Sequence, residues 1–383
     1  RFADVDAWPV CLDTQDVDEI VRTVQLIAPV YGGINLEDIS APRCFEIERR
    51  LRELLDIPVF HDDQHGTAIV VLAALRNALR LVKKDLKDTT IVLSGAGAAG
   101  TAIARLLVRS GAVNIIGFDK DGVICKSTPN LGDEMRTWFI DNCNPNDFRG
   151  NISEAMKDAD IFIGVSAPNV LTEADVASMA PKSIIFALAN PDPEIDPAIS
   201  RKYAAVVATG RSDHPNQINN VLGFPYIFRG ALDVRARTIN DEMKIAAAHA
   251  LAGLAREDVP DEVAAAYHGP RPSFGREYLI PVPFDPRLIS TIPVAVAKAA
   301  MESGVARRHI ADLDEYKQSL SARLDPIAGT LQSVFGKVRV APKRVVFAEG
   351  EEDRMIRAAN SYASAGLGRA ILGAAPEDIA HAR

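Results

Sequence analysis

Two features carry the residue types that chemistry needs: the acidic pairs Glu37-Asp38 and Asp62-Asp63, and the loop Gly95-Ala96-Gly97-Ala98-Ala99-Gly100. Carboxylate oxygens are the ligands small divalent cations prefer. Closely spaced glycines between a strand and a helix let a pyrophosphate approach the backbone, where the helix start offers amide donors and partial positive charge. A hard-metal site followed by a dinucleotide site points to metal-assisted hydride chemistry.

A lone GxGxxG is weak, but this one follows an apolar run (90–94), opens a helical run to Arg109, and has Asp119 placed 19 residues past its last glycine, at the end of the next apolar run (113–118). Gly95 allows the turn, Gly97 clears space for the pyrophosphate, and Gly100 lets the helix pack closely. Asp119 could accept a bond from a ribose 2′-hydroxyl, which favours NAD. Lys120 and Lys126 could instead offset a 2′-phosphate, so the residue code is ambiguous.

The elements that must position these groups alternate. Helices are expected at 17–28, 44–55 and 67–82, and strands at 57–60, 90–94, 113–118, 160–165, 183–188 and 206–210, with a short apolar stretch at 32–36. Continuous apolar strands between helices imply a doubly wound, Rossmann-like parallel sheet. Both acidic pairs follow strand ends, where ligands collect in open α/β sheets, so they could converge. Further helices are expected at 227–237, 241–255, 293–303 and 313–323. Seven prolines from Pro260 to Pro293 predict an irregular wrapping segment. Two adjacent aspartates exceed what a helix cap needs. Zinc on His61 and His65, four apart, would suit a helix, but Gly66 and the capping residues place the helix later.

The chain has 383 residues, 48% apolar and 25% charged, which is enough for two or three domains. A net charge of −8 argues against nucleic acid or an anionic membrane as partner. The longest apolar run, 68–75, is too short to span a bilayer. Cys11, Cys44, Cys125 and Cys143 form no CxxC pair, so a reducing cytoplasm is the default. The chain opens and closes abruptly, as though inside a domain at each end, and is expected to be truncated on both sides.

These residues resemble the malic enzymes of bacterial type: Gly33-Ile34-Asn35-Leu36-Glu37-Asp38, then 60–68, the glycine loop, Phe186-Ala187-Leu188-Ala189-Asn190-Pro191, and Asn219-Asn220, in the family's order and covering about residues 1–320. The resemblance implies that Glu37, Asp38 and Asp63 hold Mg²⁺ or Mn²⁺, that Asp62 stands beside the ion and orients the catalytic base, and that Asn190, Asn219 and Asn220 contact malate, Asn190 and Asn220 also meeting the nicotinamide end. Asn220 is the preferred member of its pair. The implied reaction is oxidative decarboxylation of malate with NADP, or alternatively NAD, by a homo-oligomer. The family's catalytic Tyr and Lys precede the position of Arg1, so turnover by this chain alone is not expected.

Residues 342–354 resemble the opening of a phosphate acetyltransferase domain, too short for a complete acetyltransferase site. The resemblances divide the chain into a substrate and metal domain (1–63), a dinucleotide domain (64–300), a helical tail and linker (301–335) and the start of an acetyltransferase-like domain (336–383). The competing functions are a metal-independent amino acid or shikimate-like dehydrogenase, which needs no cluster of three carboxylates, and a non-catalytic nucleotide-binding or assembly module.

Overall fold

Branched and aromatic side chains fill sheets that are covered on both faces, and the apolar runs of this chain do so here. A computed structural model describes residues 2–129, 134–260, 263–264, 271–324, 334, 337–350, 352–364 and 366–373. Two short strands, β1 (Ile34–Leu36) and β2 (Val59–His61), pair in parallel. They precede β3 (Thr90–Ser94), β4 (Asn114–Asp119), β5 (Gly122–Val123), β6 (Ile161–Gly164), β7 (Ile184–Ala187) and β8 (Val206–Thr209), joined in the order β5-β4-β3-β6-β7-β8. All neighbours are parallel except β5, which runs antiparallel to β4 at the edge. The chain leaves β3 for β4 on one side and returns to β6 on the other. That reversal opens a crevice at the carboxyl ends of β3 and β6, where doubly wound sheets bind ligands.

The β1–β2 pair is covered by helices Val17–Ile27 and Arg43–Leu54, which bury Ile20, Val21, Val24, Ile47 and Leu51 against Leu36 and Val59. Asp16 caps the first of these helices by accepting from the Glu19 amide. After β2 the chain makes one π-helical turn, Asp62–Gly66, and runs without a break into helix Thr67–Val82. No side chain caps that helix, so the expected capping role is not used. The continuous segment Asp62–Val82 is long and apolar enough to cross a bilayer by length and composition, yet 72% of its most apolar window is buried inside the protein. It is a core helix.

Two expected boundaries move. The helix expected from residue 293 spans Leu288–Glu302 with Pro293 inside it. Its partner, expected from residue 227, spans Phe224–Asp233 with Pro225 in its first turn. The two helices meet at Gly230, where an added Cβ would lie 2.6 Å from the Pro293 carbonyl oxygen. Tertiary packing here outweighs proline's cost to a helix interior. The rest of the proline-rich segment lies partly outside the described residues.

The chain divides into two units, Arg1–Leu313 and Asp314–Arg383, and the sequence-based domains 1–63 and 64–300 both fall within the first. In the second unit β9 (Lys343–Phe347) and β10 (Gly368–Leu372) pair in parallel, connected by helix Asp353–Ser364.

Candidate active site

Parallel pairing sets Leu36 opposite His61, so the acidic pairs that follow them emerge at the same edge. The chain turns sharply at Asp38, whose φ of 55° is left-handed, and its amide donates to Asp63 Oδ2 at 3.0 Å. Glu37 Oε2 accepts from Asn35 Nδ2 at 2.7 Å. Asp62 points inward, where Oδ2 accepts from Asn220 Nδ2 at 2.5 Å and Oδ1 is buried without a partner. Gly66 makes this possible, because a Cβ there would lie 1.8 Å from Asp62 Oδ1.

Burial pushes the Asp62 carboxyl up to about 8, with Glu37 and Asp63 adding repulsion. Glu37 is also raised, by partial burial and then by Asp63 and Asp38. The donor set is hard oxygen with excess negative charge, which suits a divalent cation. Among the described residues, however, no three His, Cys, Asp or Glu side chains already converge as ligands would. Glu37 and Asp38 are exposed residues beside Asp63, whose Oδ2 accepts from the Asp38 amide.

His61 and His65 do not converge, in line with the reading that disfavoured zinc. His61 Nε2 faces the Ile39 carbonyl oxygen at 3.1 Å, whereas His65, within the π turn, lies 2.7 Å from Glu48 Oε1 through Nε2 and 3.2 Å from Lys244 Nζ through Nδ1. Burial and then Lys244 lower the His65 pKa. Glu48, although buried, is held down at about 2 by His65 and Lys244.

The glycine loop closes the neighbouring crevice. Gly95 has φ 102°, and an added Cβ would lie 2.6 Å from the Val165 carbonyl oxygen. At Gly100 a Cβ would lie 1.9 Å from the Gly95 carbonyl oxygen, while at Gly97 it would meet nothing within 4 Å. The first intrahelical bond runs from the Thr101 amide to the Gly97 carbonyl, which leaves the amides of Ala98, Ala99 and Gly100 at the helix start to face an anion. The amides of Gly95 and Ala96 both donate to the Phe118 carbonyl at 2.9 Å, so the loop is clasped to the end of β4 beside Asp119. The π turn carrying Asp62 and Asp63 packs against helix Ala98–Arg109 and against the turn Asn220–Leu222. Acidic edge and glycine loop are thus neighbours.

The asparagines separate by use. Asn220 reaches Asp62. Asn219 accepts from the Val221 amide and caps the 3-10 turn, which is its turn-forming role. Asn190 is exposed beyond β7, beside Gly210, with Nδ2 donating to the Leu188 carbonyl at 3.4 Å.

Two groups escaped the sequence reading. Glu194, fully buried, accepts from the Ser166 amide at 2.8 Å and from the Ala189 amide at 3.1 Å, tying together the ends of β6 and β7. Only its place just beyond Asn190-Pro191 hinted at this. Arg136 donates through Nε (2.9 Å) to Asp119 Oδ2, Nη2 lies 2.8 Å from the same oxygen, and Nη2 also pairs with Asp121. No local pattern singles out that arginine. The backbone amide of Lys126, whose side chain could offset a 2′-phosphate, donates to Asp147 Oδ1 at 2.9 Å.

Comparison with known proteins gives the family of the chain. The family model "Malic enzyme, NAD binding domain" matches residues 64–267, "Malic enzyme, N-terminal domain" matches 5–52, and "Phosphate acetyl/butaryl transferase" matches 330–382. An NADP-dependent malic enzyme of Rhizobium meliloti is 59% identical over 97% of this chain and 49% of its own. An NAD-dependent malic enzyme of the same organism is 50% identical over 99% of this chain and 49% of its own. The chain spans about half the length of these curated relatives. The solved malic enzyme of Pyrococcus horikoshii is 42% identical with a TM-score of 0.76, covering 88% of this chain and 76% of that one. That of Entamoeba histolytica is 37% identical with a TM-score of 0.77, covering 89% and 70%. By the family model that covers more than half of it and by these relatives, the chain belongs to the malic enzyme family.

Proposed function

We propose that the protein oxidises malate at C2 with reduction of NADP or NAD and decarboxylates the product to pyruvate and CO₂, dependent on Mg²⁺ or Mn²⁺. The observation that carries this reading is the buried Asp62, held by Asn220 and pushed up to about 8 within a cluster of carboxylates that packs against the glycine-loop helix. Glu37, Asp38 and Asp63 would hold the divalent ion. Bound there, the ion supplies Lewis-acid polarisation of the oxygen on C2.

The remaining work falls to the chain's own groups. The amides of Ala98, Ala99 and Gly100 bind the pyrophosphate, with Gly97 leaving it room. Asp62 keeps a proton on the inner wall of the site near neutral pH when no cation is near, and with Asn220 it orients the groups around the substrate. Asn190 and Asn220 offer amides to malate carboxylates, and Asn219 supports Asn220 through its cap. A reducing cytoplasmic setting fits four free cysteines, and a homo-oligomer fits the exposed Leu26 and Val30.

The test is malate-dependent coenzyme reduction by the full protein, with pyruvate measured alongside. Expected is activity that requires Mn²⁺ or Mg²⁺ and is lost in Asp63→Ala. Metal-independent oxidation, or no pyruvate, would reject the reading.

A further inference from the structure

The pair that closes the far end of the glycine loop carries information about the coenzyme. Asp119 ends β4 directly after Phe118, whose carbonyl accepts the Gly95 and Ala96 amides. A dinucleotide whose pyrophosphate lies on Gly97 therefore brings its adenosine ribose to Asp119. That carboxylate is already engaged: Oδ1 accepts from the Asp121 amide at 2.8 Å, and Oδ2 accepts from Arg136. Arg136 and Asp119 are both mostly buried at their side chains, 16% and 15% exposed, whereas the Asp121 side chain is 58% exposed.

We propose that Arg136 is the coenzyme-selecting residue, its guanidinium taking the 2′-phosphate of the adenosine ribose and making the 2′-phosphorylated dinucleotide the preferred partner. Bound to Asp119, Arg136 neutralises the carboxylate that would otherwise repel a phosphate. Its contact with Asp121 is a pair with an exposed carboxylate, worth little in water, and a phosphate can displace it. The planar fork then binds phosphate oxygens as guanidinium groups do. Exposed Lys120, next to Asp119, adds positive charge without fixing geometry. This inference rests on the dinucleotide reading of the glycine loop but not on malate as substrate.

The experiment is calorimetric titration of the full protein, without malate or metal, with 2′,5′-ADP and with 5′-ADP. Arg136→Gln is expected to weaken 2′,5′-ADP by about 10- to 100-fold, the size of a lost charged hydrogen-bond pair, and to leave 5′-ADP unchanged. Arg136→Lys, which keeps the charge but loses the fork, should fall between. Asp119→Asn guards against misfolding as an explanation: it should weaken 5′-ADP by removing the negative charge from the acceptor of the 2′-hydroxyl, and leave 2′,5′-ADP as tight or tighter. Equal losses for both nucleotides in Arg136→Gln would overturn the proposal, since Arg136 would then only support the loop. So would an unchanged 2′,5′-ADP affinity. Wild-type protein binding neither nucleotide would overturn the proposal together with the dinucleotide reading, whereas intact discrimination without malate oxidation would reject only the proposed reaction.

Discussion

Asn220 Nδ2 donates to Asp62 Oδ2 at 2.5 Å, and the two residues are 158 positions apart. Among the described residues this is the one side-chain hydrogen bond to the Asp62 carboxyl, whose Oδ1 is buried and unpaired. Asn220→Ala would leave the whole buried carboxyl unsatisfied, at a cost of about 1–3 kcal/mol. Urea unfolding should show that loss, together with a lower kcat for malate. Wild-type stability in the variant would mean the bond contributes nothing to holding the π turn.

Asp62 also makes stability depend on pH. Its carboxyl titrates at about 8 when folded against an ordinary value of 3.8, so between these values the folded state holds a proton that the unfolded chain has released. The stabilisation is fully present below the unfolded value and is lost as pH rises toward 8, at up to about 1.4 kcal/mol per pH unit. Comparing metal-free wild type with Asp62→Asn from acid to mildly alkaline pH should isolate this slope. A wild type whose stability relative to the variant stays flat over that window would show Asp62 to be ionised throughout.

Divalent-ion binding should depend on Asp63, whose Oδ2 already meets the turn at Asp38. Titration of the protein with Mn²⁺, followed by electron paramagnetic resonance, is expected to give saturable binding that Asp63→Ala abolishes. Unchanged affinity in the variant would remove Asp63 from the ligand set.

Gly97 and Gly100 should respond differently to the same methyl group. At Gly97 an added Cβ meets nothing, so Gly97→Ala should leave the Tm unchanged while weakening nucleotide binding. At Gly100 the Cβ would fall 1.9 Å from the Gly95 carbonyl oxygen, and Gly100→Ala should destabilise the fold by about 1–3 kcal/mol as well. Thermal melts beside nucleotide titrations separate the two, and a Gly97→Ala protein that binds nucleotide normally would contradict the role given to that residue.

The sequence by itself determined what is local along the chain. Strand, glycine loop and helix are consecutive, so spacing alone identifies the turn at Gly95, the open side at Gly97 and the close approach at Gly100. Apolar runs likewise identify the parallel sheet, and the two acidic pairs could be placed at strand ends because each directly follows its strand. Only the tertiary structure decided what depends on packing between distant segments. It turned Asp62 inward onto Asn220, gave Asp119 at the end of β4 an arginine partner from helix Glu134–Asn142, and carried helix Leu288–Glu302 through Pro293. It also divided His61 from His65 by winding one of them into a π turn toward Glu48 and Lys244. Local spacing fixes backbone conformation over a few residues, but the direction of a buried polar side chain is set by whichever partner the folded chain brings to it, since an unpaired buried polar group costs more than a local propensity can offset.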